Sequence, residues 1–227
     1  MTLRGSMPLF DRLEIPDAID PGAEARIAAR FDNRLAGIDE AGRGPWAGPV
    51  AVAAVILVPG DVPDGLADSK VLREAERERL FEEICARAHV ALAYAAPETI
   101  DRRNIRAATL AAMARAARAL PLPPTFCLID GRDVPPGLPV PGAAVVKGDG
   151  RLMCVAAASI IAKVARDRLM KRMATHWPAY GFDGHKGYGT ARHAAALAEA
   201  GVSPLHRMSF RPVAAAAAAG KAPDKDR

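Results

Sequence analysis

The sequence predicts one α/β domain with short appendages, and three observations carry that expectation. Short runs rich in Val, Ile, Leu and Ala have the length of buried strands, longer segments place apolar residues at helical spacing, and Gly/Pro-rich stretches separate the two kinds. A chain of 227 residues is long enough to bury a full core in a single domain of this class.

Residues 1–33 have weak periodicity, and Pro16, Pro21 and Gly22 interrupt any helix there, so this stretch is expected to be an extension outside the core. The core begins at Arg34. Residues 35–39 read as a strand and 48–58 as a second, joined through the turn Gly42-Arg43-Gly44-Pro45, which predicts a hairpin. After a Pro/Gly/Asp loop, Leu80, Ile84 and Ala88 give helical spacing over 74–88, and a strand follows over 89–95. Pro97 opens a further helical region with Leu110, Met113 and Leu120 on one face, stopped by the prolines from 121 to 124. Strands over 125–129 and 143–146 then run into Asp130-Gly131 and Lys147-Gly148-Asp149. A long helix spans 153–176 with Val155, Ile160, Val164 and Leu169 as its apolar face. Residues 180–189 read as a Gly-rich loop, 191–200 as a short helix, and 214–227 as an Ala-rich helix fraying into a disordered tail.

Composition excludes several classes. The longest uncharged apolar run, residues 50–58, falls well short of the roughly 20 residues that cross a bilayer. Asp11, Glu14, Asp17, Asp20 and Glu24 break up the first 33 residues, leaving no apolar signal segment, so a cytosolic protein is expected. Cys85, Cys127 and Cys154 show no CxxC spacing and sit among apolar residues. They are expected to be buried hydrophobes, neither disulfide partners nor zinc ligands. The net charge of +5 is unevenly spread: the segment from Lys163 onward holds twelve basic and five acidic residues (12 − 5 = +7), leaving −2 before it. A localised excess of this sign suits a polyanion partner.

The chemical signal lies in the acids. Asp39-Glu40, Asp130 and Asp149 each end a run that would otherwise be buried. A lone strand-end acid is more often a cap, but four gathered at one sheet end could not stay ionised without cations, since each buried charge costs several kcal/mol. An all-carboxylate set favours hard ions such as Mg2+ or Mn2+ over zinc, and the five histidines lie elsewhere in the sequence. Such clusters serve phosphodiester cleavage. One difficulty is that adjacent strand residues point to opposite faces, so Asp39 and Glu40 share a centre only if the backbone bends, for which Ala41-Gly42 is suited.

Several of these segments, in this order, resemble bacterial ribonuclease HII. They are Asp39-Glu40-Ala41-Gly42-Arg43-Gly44-Pro45, Asp68-Ser69-Lys70, Leu128-Ile129-Asp130-Gly131, Val146-Lys147-Gly148-Asp149, the run from Ala157 to Asp167, His185-Lys186-Gly187-Tyr188 and His206-Arg207-Met208-Ser209-Phe210. The resemblance spans residues 34–213 and implies a catalytic domain of those bounds. It implies a ribonuclease H-like mixed sheet flanked by helices, with a small helical C-terminal region that helps grip a duplex. It further implies a monomeric endonuclease that cuts the RNA strand of RNA:DNA hybrids and incises 5′ to ribonucleotides embedded in duplex DNA, in ribonucleotide removal. The ends would be 3′-hydroxyl and 5′-phosphate, with two Mg2+ or Mn2+ ions at the site.

On the same resemblance Asp39, Glu40 and Asp130 are catalytic metal ligands, and Asp149 is preferred to Asp167 as the fourth carboxylate. Asp167 lies more than three turns into the long helix, where Arg166 and Arg168 offer surface pairing. Gly42, Arg43, Gly44 and Tyr188 would read the 2′-hydroxyl that distinguishes RNA from DNA. Glycines permit close backbone approach, while a phenol offers a hydroxyl partner and a ring for the sugar. Ser69 and Lys70 are candidate phosphate contacts, with Lys147 and Lys186 of similar type. Met208 departs from the family, where a second Arg is common, and the stretch from Asp130 to Lys147 does not align by eye.

Two other readings compete. A non-catalytic nucleic-acid-binding module would use the basic last third, yet clustered carboxylates would repel its ligand. A nucleotide-binding α/β enzyme would use Gly42-Arg43-Gly44 as a phosphate loop, but the turn fits neither GxGxxG nor GxxxxGK[ST].

Overall fold

The computed structural model describes residues 13–220. Its centre is a five-stranded sheet of order β3-β2-β1-β4-β5, formed by β1 (Leu35–Ala41), β2 (Val50–Leu57), β3 (Ala88–Ala95), β4 (Phe126–Asp130) and β5 (Gly142–Val145). The predicted hairpin is present: β1 and β2 are antiparallel, with Ala36 opposite Ile56 and Ala41 opposite Ala51. β4 and β5 join in parallel to β1, so the sheet is mixed and three strands share one carboxyl end. β1 and β2 are buried on both faces, which is why they read as continuous apolar runs and not as an alternating pattern.

Helices cover both faces. On one, α4 (Ile105–Arg118) packs Ala108, Ala112, Met113 and Ala116 against Ala36, Ile38, Val52 and Ala54. It begins where Asn104, at φ 67°, breaks it from α3 (Pro97–Arg103) and caps it by accepting from the Ala107 amide at 2.9 Å. On the other face lie α2 (Glu74–Arg87) and α5 (Met153–His176), whose Leu80, Ile84, Ile160 and Val164 share a core with Ala53 and Val55. Each fully buried Ile, Leu or Val there contributes roughly 1.5–3 kcal/mol. The rest of the C-terminal region, α6 (Phe182–His185), α7 (Ala191–Ala200) and α8 (Arg211–Ala218), gathers with Ala47, Met170 and Tyr180 into a separate small cluster.

Three expectations need correction. Residues 21–29 form a helix, α1 (Pro21–Ala29), because Pro21 stands at its first turn, where a fixed φ favours helix entry. Asp20 caps it, accepting from Gly22 and Ala23 at 2.8 and 3.0 Å. This part of the supposed extension is core: Ile27 and Phe31 pack with Leu35, Phe126 and Leu152. The Gly-rich loop contains one helical turn at Pro178–Tyr180 and α6, with Tyr180 and Phe182 buried. The Ala-rich helix expected from 214 is present to 218 as part of α8, where Ala216 packs on the C-terminal cluster; the proposed tail from 221 lies outside the described residues. Cys85 is exposed, unlike buried Cys127 and Cys154. No helix among the described residues is long and apolar enough to cross a membrane.

β1 and α5 touch backbone to backbone. A Cβ on Gly37 would stand 2.2 Å from the Cys154 carbonyl carbon and 2.4 Å from the Val155 nitrogen, neither of which can rotate aside. Gly37→Ala is therefore expected to lower stability by at least ~2 kcal/mol. Gly150→Ala, where an added Cβ meets nothing within 4 Å, should stay within about 0.5 kcal/mol of the parent in urea melts.

Candidate active site

Strand register brings the acids together. Ile38 of β1 lies opposite Ile129 of β4, so Asp39 and Asp130 follow at neighbouring strand ends, and Asp130 is in turn paired with Val145 of β5. The chain then turns back through Lys147, at φ 57°, into a single helical turn at Gly148–Gly150 that carries Asp149 into a buried position before α5 starts. This edge, at the carboxyl ends of parallel strands, is where open α/β sheets hold their ligands. The expected bend between Asp39 and Glu40 is absent, because the ladder stays regular as far as Ala41 opposite Ala51. Asp39 therefore faces α5 and Glu40 faces α4; the turn comes after them, at Gly42 with φ +91°.

The carboxylates feel one another. Burial pushes the Asp39 carboxyl well above its ordinary range, and the charges of Glu40 and Asp130 push it further, opposed by the Glu40 amide that donates to it at 2.6 Å. Glu40 is raised by burial, then pulled down by Arg43 at 3.4 Å and pushed up by Asp130. Asp130 is raised by burial and by Asp149, while the Gly148 amide donates to it at 2.8 Å. Lys70 Nζ stands 2.9 Å from Asp149 Oδ2; against the cost of partial burial, that carboxylate holds the ammonium above its usual range. In this conformation each acid is turned to a protein donor, and among the described residues no three His, Cys, Asp or Glu side chains converge closely enough to enclose an ion. Mutual repulsion within an all-oxygen donor set is nevertheless what a hard divalent cation relieves, so Asp39, Glu40, Asp130 and Asp149 fit such an ion chemically. Asp167 is remote in its pairing: it binds Lys163 at 2.6 Å within α5.

Beside the acids the turn from Gly42 to Pro49 rests on two buried arginines that the sequence did not single out. Arg207 donates to the carbonyls of Gly42, Arg43 and Gly48 at 2.6, 2.8 and 2.9 Å. Arg166 donates to Pro49 and Ala47 at 2.9 and 3.2 Å, which corrects its reading as a surface partner of Asp167. Tyr188 stands half-exposed next to this turn: its ring would lie 3.7 Å from a Cβ on Gly44, and its loop is tied down where the Trp46 amide donates to Gly187 O at 2.8 Å. Three histidines brace the same loop. His193 Nδ1 lies 3.0 Å from the Tyr188 carbonyl and must donate to it, so its Nε2 accepts from His206 Nε2 at 3.0 Å. His206 Nδ1 then accepts from the Ser203 amide at 2.9 Å. Burial and the neighbouring His193 push His206 down to about 4, consistent with a neutral ring.

Two expected phosphate contacts need revision. Ser69 is buried with its hydroxyl 2.8 Å from Ser159 Oγ, so it supports the site from behind and does not face outward. Lys186 Nζ is folded back on the carbonyls of Asp183 and Gly184. The basic last third is likewise less free than its sum suggests, because Arg168 and Lys171 pair with Glu78, Glu82 and Glu74 of α2. Arg43, half-exposed, does face the cleft, which is shared with Glu40, Asp130 and Arg106. A cavity of about 410 Å³ lies elsewhere, between α1 and the loop from Leu57 to Leu66.

Comparison with known proteins agrees with this arrangement. A family model described as ribonuclease HII matches residues 36–213. A ribonuclease HII of Jannaschia sp. (strain CCS1) is 53% identical over 193 residues, covering 85% of this chain and 97% of that protein. Among solved structures, ribonuclease H2 from Pyrococcus horikoshii OT3 superposes with a TM-score of 0.71 at 27% identity, over 80% of this chain and 96% of that one. Bst-RNase HIII, solved in complex with Mn2+, shares the fold with a TM-score of 0.62 at 18% identity, over 82% of this chain and 69% of its own. The mixed sheet is thus ribonuclease H-like, and the chain belongs to the ribonuclease HII family, ribonucleases H that act on nucleic acid.

Proposed function

We propose that this chain incises duplex DNA 5′ to an embedded ribonucleotide and cuts the RNA strand of RNA:DNA hybrids, leaving 3′-hydroxyl and 5′-phosphate ends. The observation that carries this reading is the carboxylate edge of Asp39, Glu40, Asp130 and Asp149 directly beside the Gly42–Gly44 turn and Tyr188. These acids would hold two Mg2+ or Mn2+ ions, which when bound supply an activated water and stabilise the leaving oxygen. Without cations the cluster would repel a scissile phosphate; the Asp149 ion pair shows Lys70 already meeting part of that charge. Arg43 is placed to contact a phosphate next to Glu40. Tyr188 offers a hydroxyl that can both donate to and accept from a ribose 2′-hydroxyl, with the glycines allowing the backbone to approach the same sugar. An open cleft of this kind suits a duplex better than a small molecule. Residues 34–213, braced by α1 and completed by the rest of α8, form the catalytic unit, acting as a monomer in the cytoplasm during ribonucleotide removal.

Asp39→Asn or Asp130→Asn should lower Mg2+-dependent incision of a duplex carrying one ribonucleotide by at least ~1000-fold with a native circular dichroism spectrum. Full activity in either variant would remove that residue from the reaction centre. Tyr188→Ala should cut the incision rate about 10- to 100-fold while changing duplex affinity by less than about threefold. Equal losses in both would assign the ring to packing.

Metal removal gives a third test. Asp39, Glu40 and Asp130 have folded-state pKa values above their unfolded ones, so the folded chain holds protons that the unfolded chain has released. That contribution is fully present below the ordinary carboxylate range and is lost as pH rises through the folded values. In EDTA, Asp39→Asn should therefore melt above the parent at pH 8, by roughly 2–4 °C for each ~1 kcal/mol relieved. The gap should close towards pH 4, and adding Mn2+ should raise the parent alone. A pH-independent difference would contradict the charge assignment.

A further inference from the structure

Arg207 and Arg166 lie among the largest fully buried side chains of the protein, at 0% and 1% exposure. Buried guanidinium groups ordinarily meet a carboxylate, since an unpaired interior charge costs several kcal/mol. Among the described residues neither has an acidic group within ion-pair distance; Asp101, the nearest acid felt by Arg207, is engaged by the Met208 and Ser209 amides at 2.9 and 2.8 Å. All five of their polar contacts are main-chain carbonyls of one short segment, those of Gly42, Arg43, Ala47, Gly48 and Pro49. An apolar side chain at either position would leave its share of these carbonyls without their donors.

The donor geometry has a direct consequence for the turn. In a trans peptide the carbonyl and the following amide point in opposite directions, and no cis bond occurs among the described residues. Drawing the Gly42 and Arg43 carbonyls onto Arg207 therefore turns the N–H groups of Arg43 and Gly44 away from it. The approach is tight, because a Cβ on Gly42 would stand 1.9 Å from Arg166 Nε. The Arg207 main chain joins the same contact: its amide donates to Trp46 O at 2.8 Å, and Gly48 donates to Leu205 O at 2.8 Å.

We propose that Arg207, with Arg166 beside it, is a positioning residue through which the C-terminal helical region sets the orientation of the Gly42–Gly44 turn toward the substrate sugar. The inference rests on the reading that this turn and Tyr188 contact the ribose. A guanidinium is required because its planar fork spreads donors on three separate nitrogens in fixed directions across the turn, whereas the three donors of an ammonium radiate from a single atom. The role is separate from metal binding, since the carboxylates are held by β1, β4 and the turn before α5.

The test uses Arg207→Lys and Arg166→Lys in the full chain, each retaining charge and most of the side-chain volume. Single-turnover incision of a duplex with one ribonucleotide should fall roughly 30- to 100-fold in Arg207→Lys, as expected for a reading group displaced by about an ångström. Duplex affinity should stay within about threefold, and the Mn2+ concentration giving half the thermal shift within about twofold, of the parent. Rates near those of the parent in both variants overturn the proposal, as does a Mn2+ midpoint that moves with the rate, or failure of both to fold. Tyr188→Phe and Gly44→Ala are assayed in parallel. Impaired Tyr188→Phe with normal Arg207→Lys rejects only the positioning role, whereas parent-like rates in Tyr188→Phe and Gly44→Ala reject the sugar-reading assignment on which it rests.

Discussion

Like-charge repulsion at one end of the sheet is the constraint to which the rest of the structure answers. Burial pushes the Asp39, Glu40 and Asp130 carboxyls up, and neighbouring charge adds to it, from Glu40 and Asp130 at Asp39, from Asp130 at Glu40 and from Asp149 at Asp130, so the edge would open if its supports could yield. They do not yield. β1 is held on both sides by β2 and β4, and on one face by α5 at a contact so close that only glycine fits at residue 37. The turn that carries Asp149 leads straight into the same helix, whose first amides are capped by Glu24 of α1. Acid, strand and helix are thus fixed to one another before any cation arrives, which is the preorganisation that charge-based chemistry requires.

A second unit is assembled next to the first from the other end of the chain. The turn after β1 and the loop before α7 exchange backbone bonds through Trp46 and Gly187, and both rest on the C-terminal cluster. Three glycines record how tightly these pieces meet: added Cβ atoms would strike Arg166 from Gly42, the Ala47 carbonyl from Gly187 and the Trp46 ring from Gly189. The turn and loop proposed to read the sugar therefore rest on the C-terminal cluster, and they join the carboxylate edge through residues 40–44 and through α5, which packs on β1 and also supplies Arg166 to the turn and Met170 to that cluster.

Much of this was legible in the sequence because local and global signals agree. α5 occupies the expected residues 153–176, an uninterrupted run of helix formers stopped by Pro178, and the strand-end acids arrive where apolar runs stop. α1 is hidden in the sequence because Pro21 has the look of a breaker, although Asp20 before it is a helix-start signal. Regular pairing through Ala41 hid a simpler answer to the placement of Asp39 and Glu40: at the end of a strand both faces open on the same edge. Arg166 and Arg207 could not be read in advance, since Arg is usually exposed and their carbonyl partners are more than a hundred residues away. Ser69 deceived for the same reason, because its partner Ser159 lies 90 residues on.

The histidine chain has a consequence that reaches past the loop it braces. From Ser203 through His206 and His193 to the Tyr188 carbonyl, every ring nitrogen is committed as donor or acceptor, and His185 is spent likewise between the Gly187 amide and the Tyr180 carbonyl. His89 lies near the start of the edge strand β3 and His176 closes α5, so no imidazole is left over for the carboxylate edge. A protein with five histidines thereby keeps imidazole away from its carboxylate edge, so that a metal held there would meet oxygen donors, as much because of what has been tied up elsewhere as because of the acids on offer.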